Sequence, residues 1–157
     1  IGNKAHKIIE EYLTTGVYPE YDYEDPRVVN CVEGFRFFLE ENNLQPVHVE
    51  LMVHHPVYHY AGTLDIIMKD HLGNYVLIDL KTSNNWSNSY ALQAVAYKKA
   101  YETLYKNKIS KIYVVRMGKT EAELDIKQIK SEDFDYLFDV FNAARNLFIW
   151  TKKWKVK

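Results

Sequence analysis

Asp65, Asp79 and Lys81 stand in a stretch otherwise made for β-structure, GTLDIIMKDHLGNYVLIDLKT, from Gly62 to Thr82. The runs Leu64 to Lys69 and Tyr75 to Thr82 are rich in Ile, Leu, Val and Tyr, with the polar turn Asp70-His71-Leu72-Gly73 between them. That pattern predicts an antiparallel hairpin. Asp65 lies near the start of the first strand and Asp79 near the end of the second, so the two carboxylates meet at one end of the pair. Burying Asp79 inside VLIDLK is costly unless something neutralises it. A divalent cation between Asp65 and Asp79 would do so. Asp79 and Lys81 flank Leu80 and share a strand face. The carboxylate would hold the metal while the ammonium reached the reaction centre. The plain alternative is an Asp79–Lys81 ion pair at a strand end, because Asp-x-Lys triplets are common by chance.

Other residues bear on the same chemistry. Gln93 and Tyr97 are four apart in a helical pattern and share a face. That helix follows the Asp79-Lys81 strand, so an amide and a hydroxyl there could bond phosphate oxygens or metal-bound water. Taken alone they read more readily as an exposed helix former and a core aromatic. His6 lies beside the apolar stripe of a first helix, either as a ligand or as a helix-edge residue. Glu50, inside VHVELMV, is either a third carboxylate at the metal or the partner of a nearby cation.

The elements that must position these groups follow from periodicity. A first helix spans about Asn3 to Leu13, with Ala5, Ile8, Ile9 and Tyr12 inward, and Gly16 closes it. Tyr18 to Asp25 is an acidic, tyrosine-rich loop. Pro26 opens a second helix with the stripe Val28, Val32, Phe35 and Leu39, ending at Asn42-Asn43. A strand, Val47 to His54, precedes the hairpin. A helix from Ser89 to Tyr105 carries Ala94, Tyr97, Tyr101 and Leu104. The loop Asn84 to Tyr90, with Trp86, joins it to the Asp79-Lys81 strand. Strands Lys111 to Met117 and Glu123 to Ile129 come next. A last helix from near Ser131 turns Phe134, Leu137, Phe138, Phe141 and Phe148 inward, and the basic tail Lys152, Lys153, Lys155, Lys157 follows. This order predicts a single α/β domain over residues 1–157 with a mixed sheet, because a helix joining two strands is a crossover. The strands around Val76 and Val114 should be parallel neighbours or near neighbours.

Composition narrows the class. The chain has 157 residues, enough for a sizeable core. Lys and Arg number 20 against 21 Asp and Glu, so no global basic field holds nucleic acid, though a local patch is compatible. Lys98, Lys99, Lys106 and Lys108 are candidates for such a patch. The single cysteine, Cys31, excludes an internal disulfide and a cysteine-ligated iron–sulfur cluster within this chain. Its plain reading is a reducing, cytoplasmic compartment. No apolar run approaches membrane-spanning length and no signal-peptide pattern is present. The chain opens on Ile with a helix at once, so a short preceding segment is expected.

Taken in order, Gly2-x-x-x-His6, Glu50, Gly62-Thr63-Leu64-Asp65, Asp79-Leu80-Lys81-Thr82 and Gln93-x-x-x-Tyr97 resemble the RecB-type branch of the PD-(D/E)xK nuclease superfamily. The stretch Tyr60 to Ser83 resembles phage- and plasmid-borne RecB-like exonucleases in particular. The likeness covers about the first two thirds of the chain. Thr63-Leu64 stands where a proline often precedes the first Asp, and the four cysteines of one iron–sulfur subgroup are missing. The resemblance implies a PD-(D/E)xK core, helix, three strands, helix, strand. It implies a Mg²⁺- or Mn²⁺-dependent deoxyribonuclease with His6, Asp65, Asp79 and the main-chain carbonyl of Leu80 as metal ligands. Lys81 would be catalytic, with Gln93 and Tyr97 along the DNA path. It also implies DNA ends or single strands as substrate, in repair, recombination or replication, with a helicase or recombinase as companion. Carboxylates suit hard Mg²⁺, and a nitrogen donor at His6 tilts the site toward Mn²⁺. A structure-selective endonuclease on the same core and a non-catalytic nucleic-acid-binding module are the rival readings.

Overall fold

The computed structural model describes residues 1–17, 25–120 and 123–157. Its elements are α1 (Gly2–Thr15), α2 (Pro26–Glu41), β1 (Gln45–His55), β2 (Tyr60–Lys69), β3 (Tyr75–Thr82), α3 (Ser89–Tyr105), β4 (Ile109–Met117), β5 (Leu124–Ile129) and α4 (Phe134–Lys153). A 3-10 turn, Ser131–Asp133, leads into α4. The expected Tyr18 to Asp25 loop lies outside the described residues except for Asp25, whose side chain accepts from Arg27 N at 2.9 Å and caps α2 ahead of Pro26.

The strands form one mixed sheet in the order β1-β2-β3-β4-β5. Only β3 and β4 pair in parallel; the other three pairings are antiparallel. The hairpin forms because Asp70 Oδ1 accepts from Leu72 N at 3.0 Å and Asn74 N at 2.9 Å, and Gly73 supplies the positive φ of the turn. The parallel pair requires a crossover, which α3 provides. Val76 to Leu80 are all buried, as befits a strand covered on both faces. Pro46, which lacks an N–H, sits on the edge strand β1, where the register slips between Pro46 and His48.

Helices cover both faces. Ala5, Ile9, Val28, Val32, Phe35 and Leu39 of α1 and α2 pack on Ile66, Met68, Ile78 and Leu80. On the other face Ala94, Ala100 and Tyr101 of α3, with Phe134 and Phe138 of α4, pack on Leu64, Ile67, Leu77 and Val114. The result is a three-layer α/β arrangement. Two expectations change. The buried face of α3 widens to Val95, Ala96 and the Glu102-paired Lys98, because the helix is held between the sheet and α4. Phe148 does not point inward. It is 62 % exposed, because only the first half of α4 lies against the core.

Candidate active site and cation-binding cluster

The backbone creates the site by parting two strands. The β2–β3 ladder runs from Lys69↔Tyr75 to Ile66↔Ile78 and stops. The β1–β2 ladder continues to His55↔Tyr60, and β3–β4 continues to Thr82↔Met117. Asp65 and Asp79 are next in register, so they stand at the fork. Asp65 Oδ2 fills the gap by accepting from Leu80 N at 2.8 Å, a side-chain replacement for the lost ladder bond.

Asp79 is 1 % exposed. Its Oδ2 lies 3.1 Å from Lys81 Nζ, an ion pair without hydrogen-bond geometry, so this buried oxygen has no hydrogen-bond partner. Burial pushes the Asp79 carboxyl up to about 7; Lys81 pulls the other way and Asp65 adds to the rise. Lys81 Nζ also donates to Gln93 Oε1 and lies 5.4 Å from the Tyr90 ring centre. Gln93 Nε2 in turn donates to Tyr97 OH at 3.1 Å. Asp79, Lys81, Gln93 and Tyr97 therefore form one connected row from β3 onto α3. Tyr97 reaches it because Gly62 has no side chain; a Cβ there would meet Tyr97 Cε1 at 2.7 Å.

His6 arrives from the opposite layer. Gly2 N donates to Gly118 O at 3.0 Å, and a Cβ on Gly2 would lie 2.7 Å from both Met117 O and Thr82 Cγ2. The first turn of α1 thus seats on the ends of β3 and β4, and His6 follows one turn later. Its Nε2 is 2.5 Å from Glu10 Oε1 and 3.7 Å from Asp65 Oδ1. Burial lowers the His6 pKa, but Asp65 and Glu10 together outweigh it and the net shift is upward.

Glu10 is the functional candidate that the sequence reading missed. One ligand atom from each of His6, Glu10 and Asp65 can lie within 4.8 Å of the others. The signal was available: His6 and Glu10 are four apart on one helix, so they share a face. Glu50 also joins the acidic side, close enough for its carboxyl to raise that of Glu10. Burial first, and Glu50 with it, raise the Glu10 pKa, while His6 opposes them. No cation partner for Glu50 is described. Glu50 stands opposite Asp65 in the β1–β2 register and has φ +53°. A non-glycine residue in that conformation is strained, and such strain collects at functional sites. There the pleat changes phase: Leu64 and Ile66 are two apart yet enter opposite cores.

His6 and Asp65 meet, with Glu10 as the third side chain. Asp79 adjoins Asp65 but faces Lys81, and Leu80 lies at the fork with its amide bonded to Asp65. The donor types fit a hard divalent cation. Asp79 Oδ2, buried and held only by the Lys81 ion pair, would be further neutralised by such a cation.

The Asn84 to Tyr90 loop is docked on β5: Trp86 Nε1 donates to Asp125 Oδ2 at 2.7 Å, with Lys127 Nζ 4.4 Å from the ring centre. The lysine track on α3 is engaged or misplaced for the fork. Lys98 pairs with Glu102 at 2.7 Å and Lys99 with Asp135 at 3.0 Å. Lys106 and Lys108 flank the start of β4, at the far end of the sheet.

No family model and no curated protein sequence matches the chain. A solved structure named "putative exonuclease", from Eubacterium rectale, shares its fold at a TM-score of 0.62 and 7 % identity, over 99 % of this chain and 69 % of that one. A second, SSO0001, aligns at a TM-score of 0.38 and 13 % identity over 90 % of this chain and 84 % of that one, too distant to carry an argument. The fold and the fork define an α/β domain with a five-stranded mixed sheet, flanking helices and an acidic cluster where two strands part. No helix among the described residues is long and apolar enough to cross a membrane.

Proposed function

We propose that this protein is a Mg²⁺- or Mn²⁺-dependent deoxyribonuclease built on the RecB-type PD-(D/E)xK core, degrading DNA from its ends without sequence preference and favouring single strands. The observation that carries the reading is the fork, where His6 lies 3.7 Å from Asp65 and the buried Asp79 carboxylate is held at Oδ2 by the Lys81 ion pair without a hydrogen bond. The fold shared with the E. rectale structure named "putative exonuclease" supports it.

The cation would be held by His6, Glu10 and Asp65, with Asp79 and the Leu80 carbonyl from β3. When bound it supplies charge neutralisation at the scissile phosphate and lowers the pKa of the attacking water. The chain's own residues do the rest. Lys81, anchored by Gln93 and Asp79, presents a fixed positive charge where negative charge grows on the phosphoryl oxygens. Its ammonium can also orient the water. Gln93 fixes Lys81, and the Tyr97 hydroxyl at the end of the row is placed to donate to a phosphate oxygen.

The test compares end-labelled linear and covalently closed circular single-stranded DNA at equal concentration with Mn²⁺. Release of mononucleotides or short products from the linear form, with the circle resistant, is the expected result. Comparable cutting of the circle points to an endonuclease on the same core. No cutting of either, with DNA still bound, points to a non-catalytic module.

A further inference from the structure

We propose that the C-terminal end of α4, with the residues that follow it, is a grip for single-stranded DNA at the catalytic end of the sheet. The direction of α4 places it there. Phe134 lies 5.0 Å from Lys98 Nζ, near the start of β4 at the far end. Further along, the Phe141 ring packs 5.0 Å from that of Tyr60, and Arg145 Nη2 donates to His59 O at 3.0 Å. That β1–β2 turn lies on the fork side of the sheet, five residues of β2 from Asp65, or roughly 17 Å. Beyond Arg145 the helix continues to Lys153, about 12 Å further.

The chemistry of this overhang selects its occupant. Leu147, Phe148, Trp150, Trp154 and Val156 are all exposed. Trp150 and Trp154 stack with centroids 6.0 Å apart and 20° between planes, yet each is more than half exposed. Arg145, Lys152, Lys153, Lys155 and Lys157 accompany them, and residues 140–157 carry no Asp or Glu. Rings interleaved with cations match a polyanion that carries flat apolar groups, which is a strand of unpaired bases. A two-fold contact with a second copy would set this basic patch against itself. The choice of DNA rests on the nuclease reading above.

Binding is measured by anisotropy of labelled oligodeoxythymidine, in EDTA, on the full chain carrying Lys81→Ala, so that no turnover intervenes. Adding Trp150→Ala and Trp154→Ala should weaken binding about tenfold or more. Trp150→Phe with Trp154→Phe, which keeps flat rings, should stay within about threefold of the parent. Lys152→Gln with Lys155→Gln should reduce the slope of log affinity against log salt by about 1.4. Circular dichroism melts confirm that the variants fold. Unchanged affinity in the folded Trp-to-Ala variant overturns the proposal. So does a dimer in sedimentation that only those substitutions dissociate, or binding confined to phosphatidylserine vesicles. Failure of the nuclease reading has a different appearance: no cleavage by the unmodified protein with tryptophan-dependent binding intact.

Discussion

Lys81 contacts Asp79, Gln93 and the Tyr90 ring, and it is not a candidate ligand. Lys81→Ala is therefore expected to lower cleavage at least about a hundredfold, the scale of losing one fixed charge at a transition state. Mn²⁺ affinity by calorimetry should not weaken. Cleavage within a few-fold of the parent, where Asp79→Ala is dead, would remove Lys81 from the mechanism. Glu10 and His6 separate differently. If both hold the cation, Glu10→Gln and His6→Ala each weaken Mn²⁺ binding about tenfold or more, one direct ligand apiece. If Glu10 only orients His6, Glu10→Gln leaves affinity near the parent value while His6→Ala does not. Unchanged affinity in both folded variants would reduce the site to the two aspartates.

At the level of elements, the site depends on how closely α1 and α3 approach the sheet. Both approaches pass through a glycine. At Gly2 the atoms in the way include a backbone carbonyl, Met117 O, which cannot swing aside. Gly2→Ala should lift the first turn of α1 and draw His6 and Glu10 away from Asp65. The expected result is a loss of about 1–3 kcal/mol in stability, the usual cost of overpacking, together with weaker Mn²⁺ binding. A chemical melt and a metal titration on the same variant check both, and an unchanged melt with unchanged affinity would show that α1 is not seated as described. Gly62 differs, because the obstacle is the Tyr97 ring, a side chain held by Gln93.

For the molecule as a whole, the acidic cluster makes stability a function of pH and of divalent cations. Asp79 is raised to about 7 and Glu10 is raised too. In the unfolded chain both ionise near about 4, so above that pH the folded state keeps protons that the unfolded state has released. Stability then falls as pH rises. His6 acts in the same direction: its raised folded pKa adds stability below its ordinary value, lost as pH climbs through the raised one. The cluster's contribution to the stability of metal-free protein is thus expected to fall from about pH 4 to above pH 7, read as a falling midpoint in urea once the opposite, smaller trend of His55, whose pKa burial lowers, is removed with His55→Gln. Mn²⁺ should flatten that decline by binding the folded state alone. A midpoint that rises over this range without metal, or that Mn²⁺ does not move, would contradict the cluster's electrostatics.

Much was legible from order and periodicity alone. The hairpin from Leu64 to Thr82, the crossover helix and the mixed sheet follow from local pattern, since strand alternation and helical spacing are properties of neighbours in the chain. The meeting of Asp65 with Asp79 also follows, because antiparallel register ties one to the other. What tertiary structure decided depends on residues far apart in sequence. Glu10 becomes a candidate ligand only once Gly2 seats α1 against Met117 and Thr82. Glu50 turns to the acidic side only through a strained backbone opposite Asp65. Trp86 is pinned by Asp125 on the neighbouring edge strand, and Lys98 and Lys99 are matched by Glu102 and Asp135, so spacing that suggested a basic patch yields ion pairs. Phe148 has the same apolar period as Phe134 and Phe141, yet α4 runs past the sheet before reaching it. Periodicity states which face a side chain is on; only packing decides whether anything lies opposite.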